Sequence, residues 1–184
     1  MSELHFFIER EPGPVGEMLV VTDEDGRLRA LDWHDYEERF LQLVRRQYPR
    51  HQVRFYEAGR SSDATTALRA YFGGDLAAIN RLVTATGGTD FQREVWQALR
   101  EIPAGETISY GELSRRIGRP KAVRAVGLAN GANPVCIVVP CHRVIGSNRT
   151  LTGYGGGLDR KRWLLEHEQA SLPQTGRPAR LPGF

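Results

Sequence analysis

The chain lacks the residues and runs that mark a secreted, metal-braced or membrane-spanning protein. Its 184 residues include only two cysteines, Cys136 and Cys141, which lie too close in sequence to brace a fold. Two cysteines without a histidine cluster argue against a structural zinc site, so we expect no metal. No apolar run approaches the ~18 residues that cross a membrane, and the first residues lack the basic-then-apolar pattern of a signal peptide. We therefore expect a protein of the reducing, cytoplasmic compartment with no membrane partner.

The net charge is also small, at +3, but it is unevenly distributed. Residues 1–89 carry a net negative charge, whereas residues 90–170 carry a net positive one. Five cations and no anion lie between Arg115 and Arg124. Such a cluster is usually a solvated surface, and the alternative is a phosphate-binding face.

The first half of the chain has the pattern of a small sheet with helices against it. Apolar residues that alternate or run briefly between turn signals predict strands, and apolar residues at helical spacing predict helices. The predicted strands are 4–8, 18–22, 27–33 and 53–56, and the predicted helices are 36–48 and 62–72. The histidines here are scattered, so we predict no catalytic constellation in this half.

A polar stretch rich in glycine and threonine separates the two halves and is typical of an interdomain linker. We predict an N-terminal α/β sheet domain at residues 1–80, a linker at 81–89 and a second domain at 90–170. Residues 171–184 would follow as a loose tail. The fold class that we expect is therefore α+β.

The second half has the start and stop signals of short helices. Ser109 and Glu112 have the spacing of a capping box, in which each side chain bonds the other's backbone amide. Gly118 ends the helix that follows, and Pro120 suits the first position of the next. The predicted helices of this half are 90–102, 109–117, 120–130 and 159–169.

Two short helices joined by a glycine turn, the second with basic residues near its start, match a helix-turn-helix. An ordinary helical hairpin is the alternative, and the cation cluster favours nucleic acid. Small residues on the second helix would let it approach a groove closely. The candidate DNA-binding residues are Arg115, Arg119, Lys121, Arg124, Ala125 and Ala129.

A cysteine-histidine pair follows an apolar run in the second half. The run, residues 135–139, predicts a buried strand or extended segment that Pro140 ends. Cys141 and His142 come next, followed by Arg143, so an imidazole and a cation lie where they could stabilise a thiolate. A buried structural cysteine beside a surface histidine is the alternative for so short a pattern.

A glycine-rich loop at residues 151–157 contains one tyrosine, Tyr154. It lacks the Lys-Ser/Thr ending of a phosphate-binding loop, so we predict no nucleotide cofactor and no cofactor of another kind. Its glycines allow backbone amides to approach a ligand closely. The final helix begins near Asp159 and carries Glu168 near its end.

The segment Pro140-Cys141-His142-Arg143-Val144 resembles the active-site signature of the O6-alkylguanine-DNA alkyltransferases, also called methylated-DNA–protein-cysteine methyltransferases. The resemblance is strong over residues 85–170 and loose over 1–80. Gly155 is a departure, because some members have serine there. The other matching segments are 109–113, 124–127, 133–134, 153–157 and 161–168.

The resemblance implies an N-terminal sheet domain of ribonuclease H-like topology. It also implies a mainly helical C-terminal domain whose winged-helix-like helix-turn-helix binds the minor groove. Arg124 would take the place of the flipped base in the stack. The implied partner is double-stranded DNA carrying O6-alkylguanine, bound by a monomer. Activity on O4-alkylthymine and cooperative binding along DNA stay open.

The resemblance further implies the roles in alkyl transfer to Cys141. Glu168 would orient His142, which would take the thiol proton through a water molecule. Asn133 would brace the turn that holds the cysteine, and Tyr110 would donate a hydrogen bond to the purine. The implied substrate-binding residues are Val144, Tyr154, Gly155, Gly156 and Lys161.

We expect a depressed pKa for the thiol of Cys141 and a raised pKa for that of Cys136, which lies in an apolar run. Cys141 would accept the alkyl group once, because a thioether has no leaving tendency. Two other functions are open: a lesion-binding helix-turn-helix protein without transfer, and a cysteine hydrolase with a Cys-His-Glu triad. The cysteine at 141 argues against the first, and the basic helix-turn-helix against the second.

Overall fold

A four-stranded sheet organises the first half of the chain in the computed structural model, which describes residues 2–170. Its order is β3-β2-β1-β4, with β1–β2 and β2–β3 antiparallel and β1–β4 parallel. All four predicted strands are confirmed. The predicted tail, 171–184, lies outside the described residues. The strands are β1 (Ser2–Glu11), β2 (Met18–Asp23), β3 (Leu28–Trp33) and β4 (His51–Glu57).

Both faces of this sheet are buried, because alternate residues of a strand point to opposite sides. Leu19 of β2 packs in a small core with Phe40, whereas its neighbour Val20 packs in a larger core with Leu68. The larger core continues into the second half of the chain, through residues such as Leu164. The helices that supply Phe40 and Leu68 are α1 (Glu37–Gln47) and α2 (Asp63–Phe72).

The segment between the two halves is hydrogen-bonded to the sheet. The Leu28 amide donates to the Val83 carbonyl (2.8 Å), and the Ala85 amide donates to the Leu28 carbonyl (2.9 Å). The Arg29 guanidinium also donates to the Ala85 carbonyl (2.8 Å). The predicted linker, 81–89, therefore runs along β3.

Helices dominate the second half, as predicted. Thr89 and Gln92 form a reciprocal capping box on the first of them. On the second, Ser109 accepts from the Glu112 amide (3.1 Å), but the Glu112 carboxylate bonds Arg116 (2.7 Å), so half of the predicted box is present. Among residues 2–170, no helix is long and apolar enough to span a bilayer. The elements are α3 (Asp90–Arg100), β5 (Ile108–Ser109), α4 (Tyr110–Arg116), α5 (Val123–Gly131), β6 (Val144–Ile145) and α6 (Leu158–His167).

Helix α5 begins later than the sequence predicts. Pro120 lies in a turn that is closed by the Ala122 amide donating to the Arg119 carbonyl (2.9 Å), and the helix begins at Val123. The prediction of Pro120 at the first helical position is wrong, because a proline suits this turn equally well. The glycine turn itself is confirmed: Gly118 has φ +70° and follows α4.

The apolar run 135–139 is buried, as predicted, but the predicted strand is wrong. Val135 forms a single parallel bridge with Leu31 of β3. The chain then turns, with the Val139 amide donating to the Val135 carbonyl (3.0 Å) and Ile137 in the left-handed region at φ 68°. Apolar composition alone does not distinguish a buried strand from a buried turn.

The contact between segment 81–89 and α1 can be tested at Gly87. A Cβ atom there would lie 2.9 Å from Gln47 Cβ and would overlap the Gln47 carbonyl oxygen. We expect Gly87→Ala to lower the free energy of unfolding by about 2 kcal/mol, because the backbone must move to admit the methyl group. Gly59→Ala is the matched control, since nothing lies within 4 Å of its Cβ position. Equal stability of the two variants in urea unfolding would contradict the close contact.

Candidate active site

Asn133 closes the turn that leads to Cys141. Its Nδ2 donates to the Val139 carbonyl (2.8 Å), and its Oδ1 accepts from the Val135 amide (3.0 Å). Ile137 lies between these anchors with a positive φ that β-branched residues rarely adopt. Such a conformation persists only where its surroundings over-determine it. The buried Ile137 side chain and the Asn133 bridge supply that constraint.

Cys141 begins a short 3-10 turn and lines a cavity of about 470 Å³. The cysteine is 7% exposed, so the cavity is its route to a reactant. The volume lies within the range of pockets that enclose small ligands. A larger groove of about 990 Å³, beside the β2–β3 turn, contains neither cysteine. The cavity is lined by Arg39 and Arg46 from α1, Leu128 from α5, Asn133 before the turn, and Tyr154, Gly155 and Gly156 from the glycine-rich loop.

Burial raises the pKa of Cys141 to about 11, although a hydrogen bond from Asn133 and the charge of Lys161 act in the opposite direction. The expected depression of this pKa is therefore wrong, because desolvation of the thiolate outweighs both stabilising contacts. The thiol is protonated at neutral pH, and a base must take its proton when it reacts. Burial also raises the pKa of Cys136 well above its usual value, as predicted.

The carboxylate of Glu168 is buried and binds three side chains. Its Oε1 accepts from His142 Nε2 (2.9 Å), Arg143 Nη2 (2.8 Å) and the Tyr71 hydroxyl (2.7 Å), and its Oε2 accepts from Arg143 Nε (2.9 Å). The structure thus brings His142 and Glu168 together. Sequence reasoning missed Tyr71, which lies on α2 in the half of the chain where no catalytic residue was predicted.

These contacts decide the protonation of the pair. Burial opposes the charge of Glu168, but the donors of His142 and Arg143 outweigh it and hold the pKa of the carboxyl well below its usual range. Because Glu168 is ionised, His142 Nε2 must donate to it, which leaves Nδ1 as the proton acceptor of the neutral ring. Burial lowers the pKa of His142, against the opposing pull of Glu168. Nδ1 has no partner among the described residues.

Lys161 is buried and joins the segment after the cysteine to the glycine-rich loop. Its Nζ donates to the Val144 carbonyl (2.6 Å) and to the Thr152 carbonyl (2.7 Å). Burial lowers the pKa of Lys161 to about 8, and the nearby Cys141 acts to raise it. The ammonium therefore contributes positive charge beside the thiol at neutral pH. No group of three or more metal-binding side chains occurs among residues 2–170.

The N-terminal half supplies one wall of the cavity. Arg39 donates from Nη1 to the Gly155 carbonyl (2.5 Å) and from Nη2 to Asp32 Oδ2 (2.7 Å). A Cβ atom on Gly156 would lie 2.7 Å from the Trp33 ring, so the loop backbone packs directly on that indole. Sequence reasoning missed Trp33 and Arg39, because each contacts the glycine-rich loop more than one hundred residues away in the chain, and it missed Asp32, which acts through Arg39.

Two tyrosines flank the thiol. Tyr154 packs edge-to-face on Trp33 with ring centroids 5.9 Å apart, and its hydroxyl has no partner among the described residues. Tyr110 begins α4, and its phenol is hydrogen-bonded to Thr152. Burial raises the pKa of Tyr110, so its hydroxyl stays protonated as a donor.

The predicted DNA-binding residues do not all reach the surface. Arg119 is exposed but pairs with Glu94 (3.0 Å). Ala129 is 3% exposed, and its carbonyl accepts from Trp96 Nε1 (2.9 Å), so its predicted place on the DNA-facing surface is wrong. Small size at this position serves helix packing instead. The exposed members are Arg115, Arg119, Lys121, Arg124 and Ala125.

Comparison with known proteins places this site in a family. Residues 90–170 match the model of the 6-O-methylguanine DNA methyltransferase DNA-binding domain. The methylated-DNA–protein-cysteine methyltransferase of Salmonella typhimurium is 53% identical over 90% of this chain and 96% of its own. The chain belongs to this family. A family member from Mycobacterium tuberculosis H37Rv is 56% identical over 64% of this chain and 70% of its own.

Solved structures of the family have the same fold. The OGT protein of Mycobacterium tuberculosis in complex with DNA has a TM-score of 0.69 and 40% identity, covering 90% of this chain and 93% of its own. The O6-methylguanine-DNA methyltransferase of Pyrococcus kodakaraensis has a TM-score of 0.65 and 25% identity, covering 89% and 98%. The family likeness therefore includes the N-terminal sheet as well as the helical half.

The raised pKa of Cys141 predicts slow alkylation by iodoacetamide at neutral pH. The rate should rise about tenfold per pH unit towards pH 11, because the thiolate is the nucleophile. Asn133→Ala should react more slowly, since it loses the hydrogen bond that lowers this pKa, whereas Asn148→Ala in the turn after β6 should match the wild type. Peptide mapping separates Cys141 from Cys136. A rate that levels off below about pH 9 would contradict the assignment.

Proposed function

We propose that this protein repairs O6-alkylguanine in double-stranded DNA by transferring the alkyl group to its own Cys141. The observation that carries the proposal is a buried thiol that lines a cavity of about 470 Å³ and is followed in the chain by a histidine bound to an ionised carboxylate. Membership of the family supports the activity. A buried thiol with a raised pKa needs a base before it can act as the nucleophile of a single displacement, and the neutral ring of His142 is the base that we assign.

The lesion must leave the duplex to reach the sulfur. An alkyl carbon on O6 is enclosed by a stacked helix, and Cys141 lies inside the protein, so the base is turned out into the cavity. Helix α5 supports this step because Leu128 lines the cavity while Arg124, on the same helix, is exposed. Arg124 then occupies the gap in the stack. The exposed cations before it, Arg115 and Lys121, bind backbone phosphates.

The transfer is a displacement at the alkyl carbon. The thiol proton passes to His142 Nδ1 through a water molecule, and Glu168 stabilises the imidazolium from the other side of the ring. The sulfur–carbon bond forms as the carbon–O6 bond breaks, and its electron pair passes to guanine. Tyr110 donates a hydrogen bond to the purine as charge develops there. The product is a thioether, so each molecule acts once.

The cavity residues orient the guanine. We assign the backbone amides of Gly155 and Gly156 and the ring of Tyr154 to the wall near O6. The Val144 carbonyl already accepts from Lys161, and its second lone pair is available for the exocyclic amine. The Lys161 ammonium stabilises the developing charge. Asn133 holds the turn so that Cys141 faces this wall.

The finer architecture and setting are part of the proposal. We assign ribonuclease H-like topology to the N-terminal domain, 1–80, and a winged-helix-like helix-turn-helix to 90–170, with 81–89 between them. The mixed sheet and the α4–α5 pair support these assignments. The protein acts as a monomer in the cytoplasm, where its two free cysteines stay reduced.

Mass spectrometry tests the function. After incubation with duplex DNA containing O6-methylguanine, we expect the Cys141 peptide to gain the mass of one methylene, about 14 Da, in a 1:1 reaction with DNA. Cys136→Ser is the matched control and should react normally, whereas Cys141→Ser should bind DNA without transfer. Methylation of Cys136 alone would overturn the site. Lesion binding with no adduct would favour a non-catalytic binding protein.

Arg124→Ala tests the extrusion step. We expect transfer from duplex DNA to slow at least about tenfold, because extrusion costs a few kcal/mol and the stack is left unfilled. Reaction with free O6-benzylguanine should change little, since a free base needs no extrusion. Arg54→Ala, on β4, is the control for loss of a surface cation. Equal losses on both substrates would argue against Arg124 as the inserted residue.

A further inference from the structure

The carboxylate beside the catalytic histidine is held from both halves of the chain. Tyr71 lies on α2, is fully buried, and donates its hydroxyl to Glu168 Oε1 at 2.7 Å. This is the same oxygen that accepts from His142 (2.9 Å). Tyr71, from the N-terminal sheet domain, therefore contacts the Glu168 carboxylate, which in turn binds the proposed general base, His142.

We propose that Tyr71 is a positioning residue for alkyl transfer: its hydroxyl fixes Glu168 Oε1 and limits the negative charge that this oxygen offers to His142. The inference rests on the proposed roles of His142 and Glu168. It gives the N-terminal domain a part in the chemistry.

Three side chains share one oxygen of the Glu168 carboxylate. A carboxylate oxygen that accepts several hydrogen bonds is stabilised as an anion and is a weaker partner for each donor. Tyr71 and Arg143 both donate to Oε1 along with His142. Without them, the carboxylate would stabilise imidazolium more strongly. His142 would then carry a proton at neutral pH and could not accept one from Cys141.

The position of Tyr71 is itself fixed. Its ring packs edge-to-face on Phe72 and His167, with centroids 5.3 and 5.1 Å apart. Its carbonyl is hydrogen-bonded to His167 Nε2 (2.8 Å), which is on α6. Burial and the neighbouring Glu168 raise the pKa of Tyr71, so its phenol remains a donor. These contacts fix the direction from which the Tyr71 hydroxyl donates to Glu168.

Of the two other side chains that donate to Glu168, Tyr71 and Arg143, Tyr71 is the better one to substitute. Arg143 also donates to the Ile102 carbonyl, so its removal would disturb the fold. Tyr71→Phe removes one oxygen atom and keeps the ring. The titratable and charged groups that face His142 or its carboxylate are Lys161 from α6, Glu168 directly after that helix, Arg143 and Cys141 beside His142 in the chain, and Tyr71 from α2.

The test is the pH dependence of the single-turnover rate on O6-methylguanine DNA. In Tyr71→Phe we expect the pKa of His142 to rise by about 1, so the acidic limb of the profile moves up by about one pH unit. Transfer should slow about fivefold near pH 5.5 and stay within about twofold of wild type near pH 8.5. Nitrogen NMR of the histidine ring should report the same rise in pKa.

The matched control is Tyr48→Phe, which removes a hydroxyl that donates to the Ala85 carbonyl (3.1 Å) away from the site. Its profile should match the wild type. A Tyr71→Phe profile that is unchanged, or lowered equally at every pH, would overturn the inference, the latter by showing a merely structural effect.

A second variant keeps the hydroxyl. 3-Fluorotyrosine placed at position 71 is a stronger donor, and it should lower the pKa of His142 and shift the acidic limb downwards. A shift in the same direction as Tyr71→Phe would also overturn the inference. If the wild-type protein forms no adduct, the proposed function is wrong. If the wild type transfers the methyl group normally but the pH–rate profiles of the Tyr71 variants do not shift, only the role of Tyr71 is wrong.

Discussion

Burial of the Cys141 sulfur is the constraint on which the rest of the site depends. A thiol removed from water holds its proton tightly, and the charged neighbours present do not reverse that effect. The site therefore needs a base that is itself uncharged until it is used. We propose His142 as this base, because burial lowers the pKa of its ring and Glu168 binds it through Nε2. Hydrogen bonds from Arg143 and Tyr71 offset the desolvation cost of burying the ionised carboxylate.

The local sequence pattern predicted helices and strands correctly where a single chemical signal determines the structure. The apolar run of β2 between turn signals and the capping residue Ser109 are such signals, and both elements are where the sequence placed them. The prediction failed at the run 135–139, because apolar composition reports burial but not direction. The turn there depends on Asn133 and on Ile137 accepting a strained φ, and neither is visible in a hydrophobic pattern.

The residues of the candidate site also fall into those that could be predicted from the sequence and those that could not. Cys141 and His142 are neighbours in sequence, and resemblance to a family supplied Glu168, so these could be named in advance. Tyr71 and Arg39 could not, because their contacts cross between the halves of the chain and nothing local marks them. The pKa of Cys141 was mispredicted for a related reason. Neighbouring charges can be read from sequence, whereas the degree of desolvation depends on the packed whole.

The interaction by which Arg39 holds the cavity wall differs from the packing that holds the wall at Trp33. Packing holds the Gly156 backbone on Trp33, but the Arg39–Asp32 bridge to Gly155 is electrostatic, and its side chains are 44% (Arg39) and 11% (Asp32) exposed. Salt screens the exposed side of such an ion pair, while it does not weaken buried apolar contacts. The freedom of the glycine-rich loop is therefore tied to ionic strength. The size of alkyl group that the cavity admits becomes a property of the solution as well as of the fold.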